Sequence, residues 1–227
     1  MRKFFLMLMC VAAFQCLTSV TAGAGERQPT GLDVYVLGNH AYVAGGENGL
    51  HVIDIRRPAS LKLTASMRTP GEAKGVFAAG SFAYVADGPA GLQVVGIRNP
   101  ADPVIVGSVE TPGDARDVVV FGDYALVADA QAGLQIVSIR DPVRPRIVAT
   151  IDTPGEAHQV VVAANHAYVA DGTGGLQIIN IRRPAEPQLV SSIGASRDAR
   201  SVHVISNHAF VADFSEGIFA INVRNPN

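Results

Sequence analysis

The chain has 227 residues, 48% hydrophobic and 17% charged, with 18 Lys and Arg against 20 Asp and Glu. That composition excludes a disordered chain. A net charge of −2 excludes the uniformly basic surface that grips nucleic acid, and 23 glycines with 13 prolines call for many turns between short elements.

The first 24 residues read as a signal peptide. Arg2 and Lys3 form a positive start, and the apolar run from Phe4 to Leu17 is shorter than a comfortable membrane span. Val20-Thr21-Ala22 or Ala22-Gly23-Ala24 fits a cleavage site, whereas Met9 and Gln15 stand where a lipoprotein needs a small residue before Cys10 or Cys16. Cleavage would remove both cysteines, leaving an exported chain with no thiol, disulfide or cysteine metal site. Residues 25–30 are a short polar linker, and no later segment is long enough to span a membrane. The expected location is therefore periplasmic or extracellular, including the cell surface.

From residue 31 to 227 one unit recurs with a period of 42. Gly49, Gly91, Gly133, Gly175 and Gly217 keep that interval, as do Pro58, Pro100, Pro142, Pro184 and Pro226, and Val43, Val85, Val127, Val169 and Val211. Within one unit, Val118-Val119-Val120 stops at the turn former Gly122-Asp123, and Ala125 to Ala128 closes at Asp129. Leu134 to Ile139 then stops at Arg140-Asp141-Pro142, and Ile147 to Ile151 stops at Thr153-Pro154-Gly155. Short β-branched runs between turn formers are strands, and fixed prolines and glycines exclude a helical array. Four antiparallel strands in 42 residues match a propeller blade, which must stack on neighbours to bury its faces. The fold expected is an all-β propeller of about five blades.

The units resemble the LVIVD repeat family of exported β-propeller proteins. The resemblance lies in Ala83 to Gly88, Gly91 to Val95, Ile97 to Pro100 and Thr111 to Gly113, and recurs at Ala167 to Gly172 and Gly175 to Pro184. It implies a propeller but no shared activity. The family's Asp before the Ile of the third strand stands here at Asp54 alone, with Gly96, Ser138, Asn180 and Asn222 elsewhere.

The fifth unit stops after its third strand, and the preceding polar linker is a poor donor for the missing one. The strand at 218–223 is thus expected to present an apolar edge. Pairing there with a partner or a second copy, imperfect ring closure or a longer reading frame would each account for it.

In propeller geometry the connections gather on two faces. One collects Glu72, Asp114, Glu156 and Asp198 with Asp87, Asp129, Asp171 and Asp213; the other collects Arg56, Arg98, Arg140, Arg182 and Arg224. The aspartates invite calcium, but capping of a recurring turn through their own side chains is the simpler reading, and Gly45 interrupts the series. The arginines would either lay their stems over the next blade or bind an anionic glycan or acidic protein surface. Lys74, Arg116, His158 and Arg200 stand at the mouth of the axis, against Leu32 in unit one, where they would bind a small anion or pair with the acids of their own loops. His40, His166 and His208 read as turn residues copied with the repeat rather than a metal site, and His51 and His203 as packing variants. No nucleophile elbow, phosphate loop or His-Glu-x-x-His run occurs. The expectation is a non-catalytic binding module with no cofactor, whose partner is a protein or anionic glycan and not a nucleic acid. The alternatives are a metal-dependent hydrolase or lyase with an axial site, and a structural segment of a larger surface protein.

Overall fold

The computed structural model describes residues 31–194 and 198–225. The expected signal peptide (1–24) and linker (25–30) lie outside these residues. Blade one holds β1 (Asp33–Leu37), β2 (His40–Ala44), β3 (Leu50–Asp54) and β4 (Lys62–Met67). Blade two holds β5 (Gly75–Ala79), β6 (Phe82–Ala86), β7 (Leu92–Gly96) and β8 (Val104–Val109). Blade three holds β9 (Asp117–Phe121), β10 (Tyr124–Ala128), β11 (Leu134–Ser138) and β12 (Arg146–Ile151). Blade four holds β13 (Gln159–Ala163), β14 (His166–Ala170), β15 (Leu176–Asn180) and β16 (Gln188–Ile193). Among the described residues blade five holds β17 (Ala199–Ile205), β18 (His208–Asp213) and β19 (Gly217–Asn222). Each blade is an antiparallel meander in chain order, and the described residues form no helix.

Two-residue turns join the first and second strands. At the first turn position Gly38, Gly80 and Gly122 take φ near +60°, and Ala164 and Ser206 take φ 53° in the same place. Each fourth strand is irregular: the β3–β4, β7–β8, β11–β12 and β15–β16 ladders all shift register midway. Such bulges bend the outer strand away from a regular edge.

The core lies between the sheets. Tyr42, Ala44, Leu50 and Val52 of blade one meet Val76, Ala78, Ala83, Val85 and Val95 of blade two. The same positions build the seams between blades two and three, three and four, and four and five. The innermost strands β1, β5, β9, β13 and β17 touch in succession around the axis. A two-residue backbone bridge ties each blade to the next: Gly46 with Ala73, Gly88 with Ala115, Ala130 with Ala157, and Gly172 with Ala199. No such bridge joins blade five to blade one among the described residues. Among the described residues the five blades form an arc whose ends are not joined by backbone hydrogen bonds.

Candidate functional site: two charged faces

The bridges from the second-to-third-strand loops to the interblade links put both sets of connections on one face, around the mouth of the axis. The turns and third-to-fourth-strand loops lie on the opposite face, where Ile55 N–H donates to Asn39 O and Arg140 reaches Asp123.

At the mouth, Asp87, Asp129 and Asp171 are fully buried. They do not cap their own turns. One carboxylate oxygen accepts the hydroxyl of Thr69, Thr111 or Thr153 at 2.5, 2.6 and 2.6 Å, and the other accepts the N–H of Gly71, Gly113 or Gly155 at 2.9 Å. Each aspartate therefore clamps the Thr-Pro-Gly link entering its blade. The link needs glycine, because a Cβ at Gly71 would lie 2.1 Å from the Asp87 carbonyl. Burial raises the pKa of all three carboxyls, partly offset by these hydrogen bonds. Asp213 differs in capping its own turn with one oxygen, which accepts the N–H groups of Ser215 and Glu216 at 2.7 Å, while the other accepts Asp198 N–H of the entering link at 2.7 Å. In unit one Gly45 leaves room for His51, whose Nε2 would lie 2.5 Å from a Cβ there.

Lys74, Arg116, His158 and Arg200 stand at this mouth; the lysine and the two arginines are engaged by carboxylates, Lys74 and Arg116 by those of the next blade as well as their own loop. Lys74 lies 2.8 Å from Asp114 of the next blade and 3.4 Å from Glu72 in its own loop. Arg116 lies 2.9 Å from Glu156 of the next blade and 3.5 Å from Asp114. Arg200 pairs with Asp198 at 2.6 Å and lies over the Phe214 ring at 5.9 Å. Burial, then Arg116 and Arg200, push the His158 pKa down to about 4, so its ring is neutral at pH 7 and accepts from the Arg116 guanidinium. Alternating anions and cations thus run from Glu72 through Lys74, Asp114 and Arg116 to Glu156, the neutral His158 interrupts them, and Arg200 with Asp198 forms a separate pair.

Below the mouth, the first inner-strand positions form another series 42 residues apart: Asp33, Gly75, Asp117, Gln159 and Ser201. Asp33 accepts Val76 N–H at 2.8 Å, Asp117 accepts Val160 N–H at 2.9 Å, and Gln159 accepts Val202 N–H at 2.8 Å. Each side chain therefore stitches one inner strand to the next. Gly75 interrupts the series, and the carboxylates on either side feel each other across it. Burial, then the nearby Asp33 charge, push the Asp117 pKa up to about 7. Sequence reasoning passed over this ladder, although its 42-residue spacing was visible.

On the opposite face all five repeat arginines are exposed. Arg56 is held by its neighbour Asp54, with Nε 2.9 Å from Oδ2, and that pairing keeps the Asp54 carboxyl well below the usual carboxylate range. Arg140 reaches Asp123 at 3.2 Å. Arg98, Arg182 and Arg224 have no carboxylate partner among the described residues, and Arg182 lines a shallow hollow with Asn180, Arg183, Glu186 and Gln188. The side chains of Arg56 and Arg140 are each 69% exposed, so these stems are not packed over a neighbouring blade.

His40, His166 and His208 are not brought together. Among the described residues no three His, Cys, Asp or Glu side chains gather as metal ligands. His166 is partly buried, and its Nε2 has no hydrogen-bond partner.

Stacked four-stranded meanders around an axis, stapled by a recurring aspartate, define a repeat β-propeller module. The LVIVD repeat model matches five times, at residues 31–69, 70–111, 112–153, 154–194 and 196–227, and the chain belongs to that family. A computationally designed protein, Ika8, has a similar fold: TM-score 0.69 at 11% identity, covering 88% of this chain. This chain spans 60% of that protein's length, and the likeness concerns the fold alone. No curated protein matches the chain in sequence.

Proposed function

We propose that this propeller is a non-catalytic, exported binding module whose arginine-bearing face takes an anionic glycan or an acidic protein surface. The observation that carries the reading is the unequal pairing of the two faces. Cations at the mouth are tied to carboxylates, whereas Arg98, Arg182 and Arg224 project into solvent without one among the described residues. A planar guanidinium that is already exposed offers paired donors to a carboxylate or sulfate with little desolvation to overcome. Arginines repeated at one position per blade suit a ligand that itself repeats, because each added contact is intramolecular.

The test is retention of the purified chain on an immobilised polyuronate and on a sulfated polysaccharide across a salt gradient. Wild-type protein is expected to be retained at low salt and released as screening grows. A variant with Arg98, Arg140 and Arg182 replaced by Glu is expected to flow through with an unchanged melting temperature. Equal retention of the variant would overturn the reading.

A further inference from the structure

The connections from third to fourth strand share one turn but not one chemistry. In blades one to four the turn closes on the same backbone bond: Ser60 N–H donates to Arg57 O, Asp102 to Asn99, Arg144 to Asp141 and Glu186 to Arg183, at 2.8–3.0 Å. The side chains it carries differ. Where blade four has Glu186 and Gln188, blade two has Asp102 and Val104, and blade three has Arg144 and Arg146. Blade one also has adjacent arginines, Arg56 and Arg57, but Asp54 holds the first and Lys62 stands at the place of Gln188.

Around the blade-four turn lies a hollow of about 290 Å³, lined by Asn180, Arg182, Arg183, Glu186 and Gln188. Backbone bonds fix its frame. Asn180 and Gln188 are partners at the end of the β15–β16 ladder, and the buried Ile181 donates its N–H to Asn165 O at 2.8 Å. Asn180 Oδ1 accepts Arg182 N–H at 3.0 Å, which leaves the Asn180 amide nitrogen as a donor. Arg183 is tied to Glu186, with Nη1 2.8 Å from Oε2, whereas Arg182 has no carboxylate partner among the described residues. The hollow therefore carries one net positive charge, beside a carboxylate with lone pairs to spare and the amide of Gln188.

These groups sort ligands by chemistry. A bare anion answers Arg182 but brings no hydroxyl for Glu186, whose charge repels it. A neutral sugar leaves Arg182 without a counter-charge, and an acidic peptide side chain brings a carboxylate with no hydroxyls beside it. A hexuronate carries both parts on one ring: a planar carboxylate that fits the guanidinium fork, and hydroxyls that donate to Glu186 and Gln188. A sulfate ester stands off its sugar on rotatable bonds, and fixing it costs more entropy. One ring is also what the size admits, since pockets for larger ligands start at about 300 Å³.

We propose that this hollow is a subsite for one hexuronate residue of a glycan, with its carboxylate on Arg182 and its hydroxyls on Glu186 and Gln188. The proposal rests on the arginine face being the ligand surface, and it makes that ligand a uronate-bearing glycan rather than an acidic protein.

The test is a titration of the isotope-labelled chain with the methyl glycosides of glucuronate and galacturonate at constant ionic strength, followed by amide NMR shifts. One of the two is expected to shift the amides between Ile181 and Gln188 saturably, at a concentration at least about tenfold below that needed by acetate, methyl glucoside or galactose 6-sulfate. Arg182→Gln should weaken this binding at least about tenfold and Gln188→Ala about fivefold, while Arg98→Gln binds as wild type does. Gln188→Ala changes no charge, so its retention on a sulfated polysaccharide should stay that of wild type. Sugar acids that bind no better than acetate or galactose 6-sulfate, or a Gln188→Ala variant that binds them as well as wild type, would overturn the subsite while leaving the face reading in place. A chain that neither polysaccharide column retains would overturn the face reading and this subsite with it.

Discussion

Both faces of the propeller carry basic side chains at a recurring position, in every repeat on the far face and in all but the first, which has Leu32, at the mouth, yet the structure treats them in opposite ways. At the mouth of the axis, Lys74 and Arg116 each reach a carboxylate of the following blade, at 2.8 and 2.9 Å. On the far face, Arg98 and Arg182 follow strands of the same repeat and meet no carboxylate among the described residues. The difference comes from the neighbours. The interblade link supplies Glu72, Asp114 or Asp198 two residues before Lys74, Arg116 or Arg200, and Glu156 two before the neutral His158, whereas Gly96 and Asn180 stand where Asp54 engages Arg56. A charge series is therefore no guide to binding until its partners are placed. The mouth holds blades together, and the far face leaves its charge outward.

The sharpest way to break this comparison is to remove a mouth clamp. Asp129→Ala would leave the Thr111 hydroxyl and the Gly113 N–H without their buried acceptor, and it should cost about 2 kcal/mol in chemical denaturation. The clamp requires its carboxylate, so Asp129→Asn should lose a large part of the same stability. A variant as stable as wild type would show that the interblade links are held by apolar packing alone.

A pH series on wild type and an Asp117 variant isolates the part played by the axial ladder. The folded-state pKa of Asp117 is raised from 3.8 to about 7 by burial and by Asp33. The folded state therefore binds this proton more tightly than the unfolded state. Its contribution to stability is greatest below about pH 4, declines as pH rises towards 7, and stays low above it. Asp117→Asn should make this decline shallower, leaving the share contributed by the raised carboxyls of Asp33, Asp87, Asp129 and Asp171, as followed by urea unfolding at stepped pH. An unchanged slope would assign the pH dependence to other groups.

The smallest effect belongs to the turns of the arginine face. Ala164 takes φ 53° where Gly38, Gly80 and Gly122 stand in earlier units. Ala164→Gly should stabilise the fold by about 0.5–1 kcal/mol, read as a rise in melting temperature, because glycine takes that conformation without a Cβ penalty. Glycan retention should not change, which would separate turn stability from the arginines' role.

The blades were legible in the sequence because a strand's boundaries depend on local turn chemistry copied every 42 residues, so Gly122-Asp123 and Arg140-Asp141-Pro142 mark real strand ends. That blade five shows three strands among the described residues was legible for the same reason. Asp87 was visible as a repeated residue, but its role was not. Its partners Thr69 and Gly71 lie in the preceding link, and only stacking brings them to the loop. The pairing of Lys74 with Asp114 was hidden in the same way, since nearness in sequence favours Glu72, while the seam places Asp114 closer. Asp33 and Asp117 escaped notice because Gly75, Gln159 and Ser201 share their position. A ladder of different residue types becomes chemistry only when each is seen to accept the next strand's N–H.

The central claim is that the far face, and not the mouth, meets the ligand. The most direct measurement compares two variants on the same sulfated polysaccharide column: Arg98, Arg140 and Arg182 to Glu, and Lys74→Gln with Arg116→Gln. The account predicts that the first loses salt-dependent retention while the second elutes with wild type. Retention lost with the mouth variant and kept with the arginine variant would contradict it.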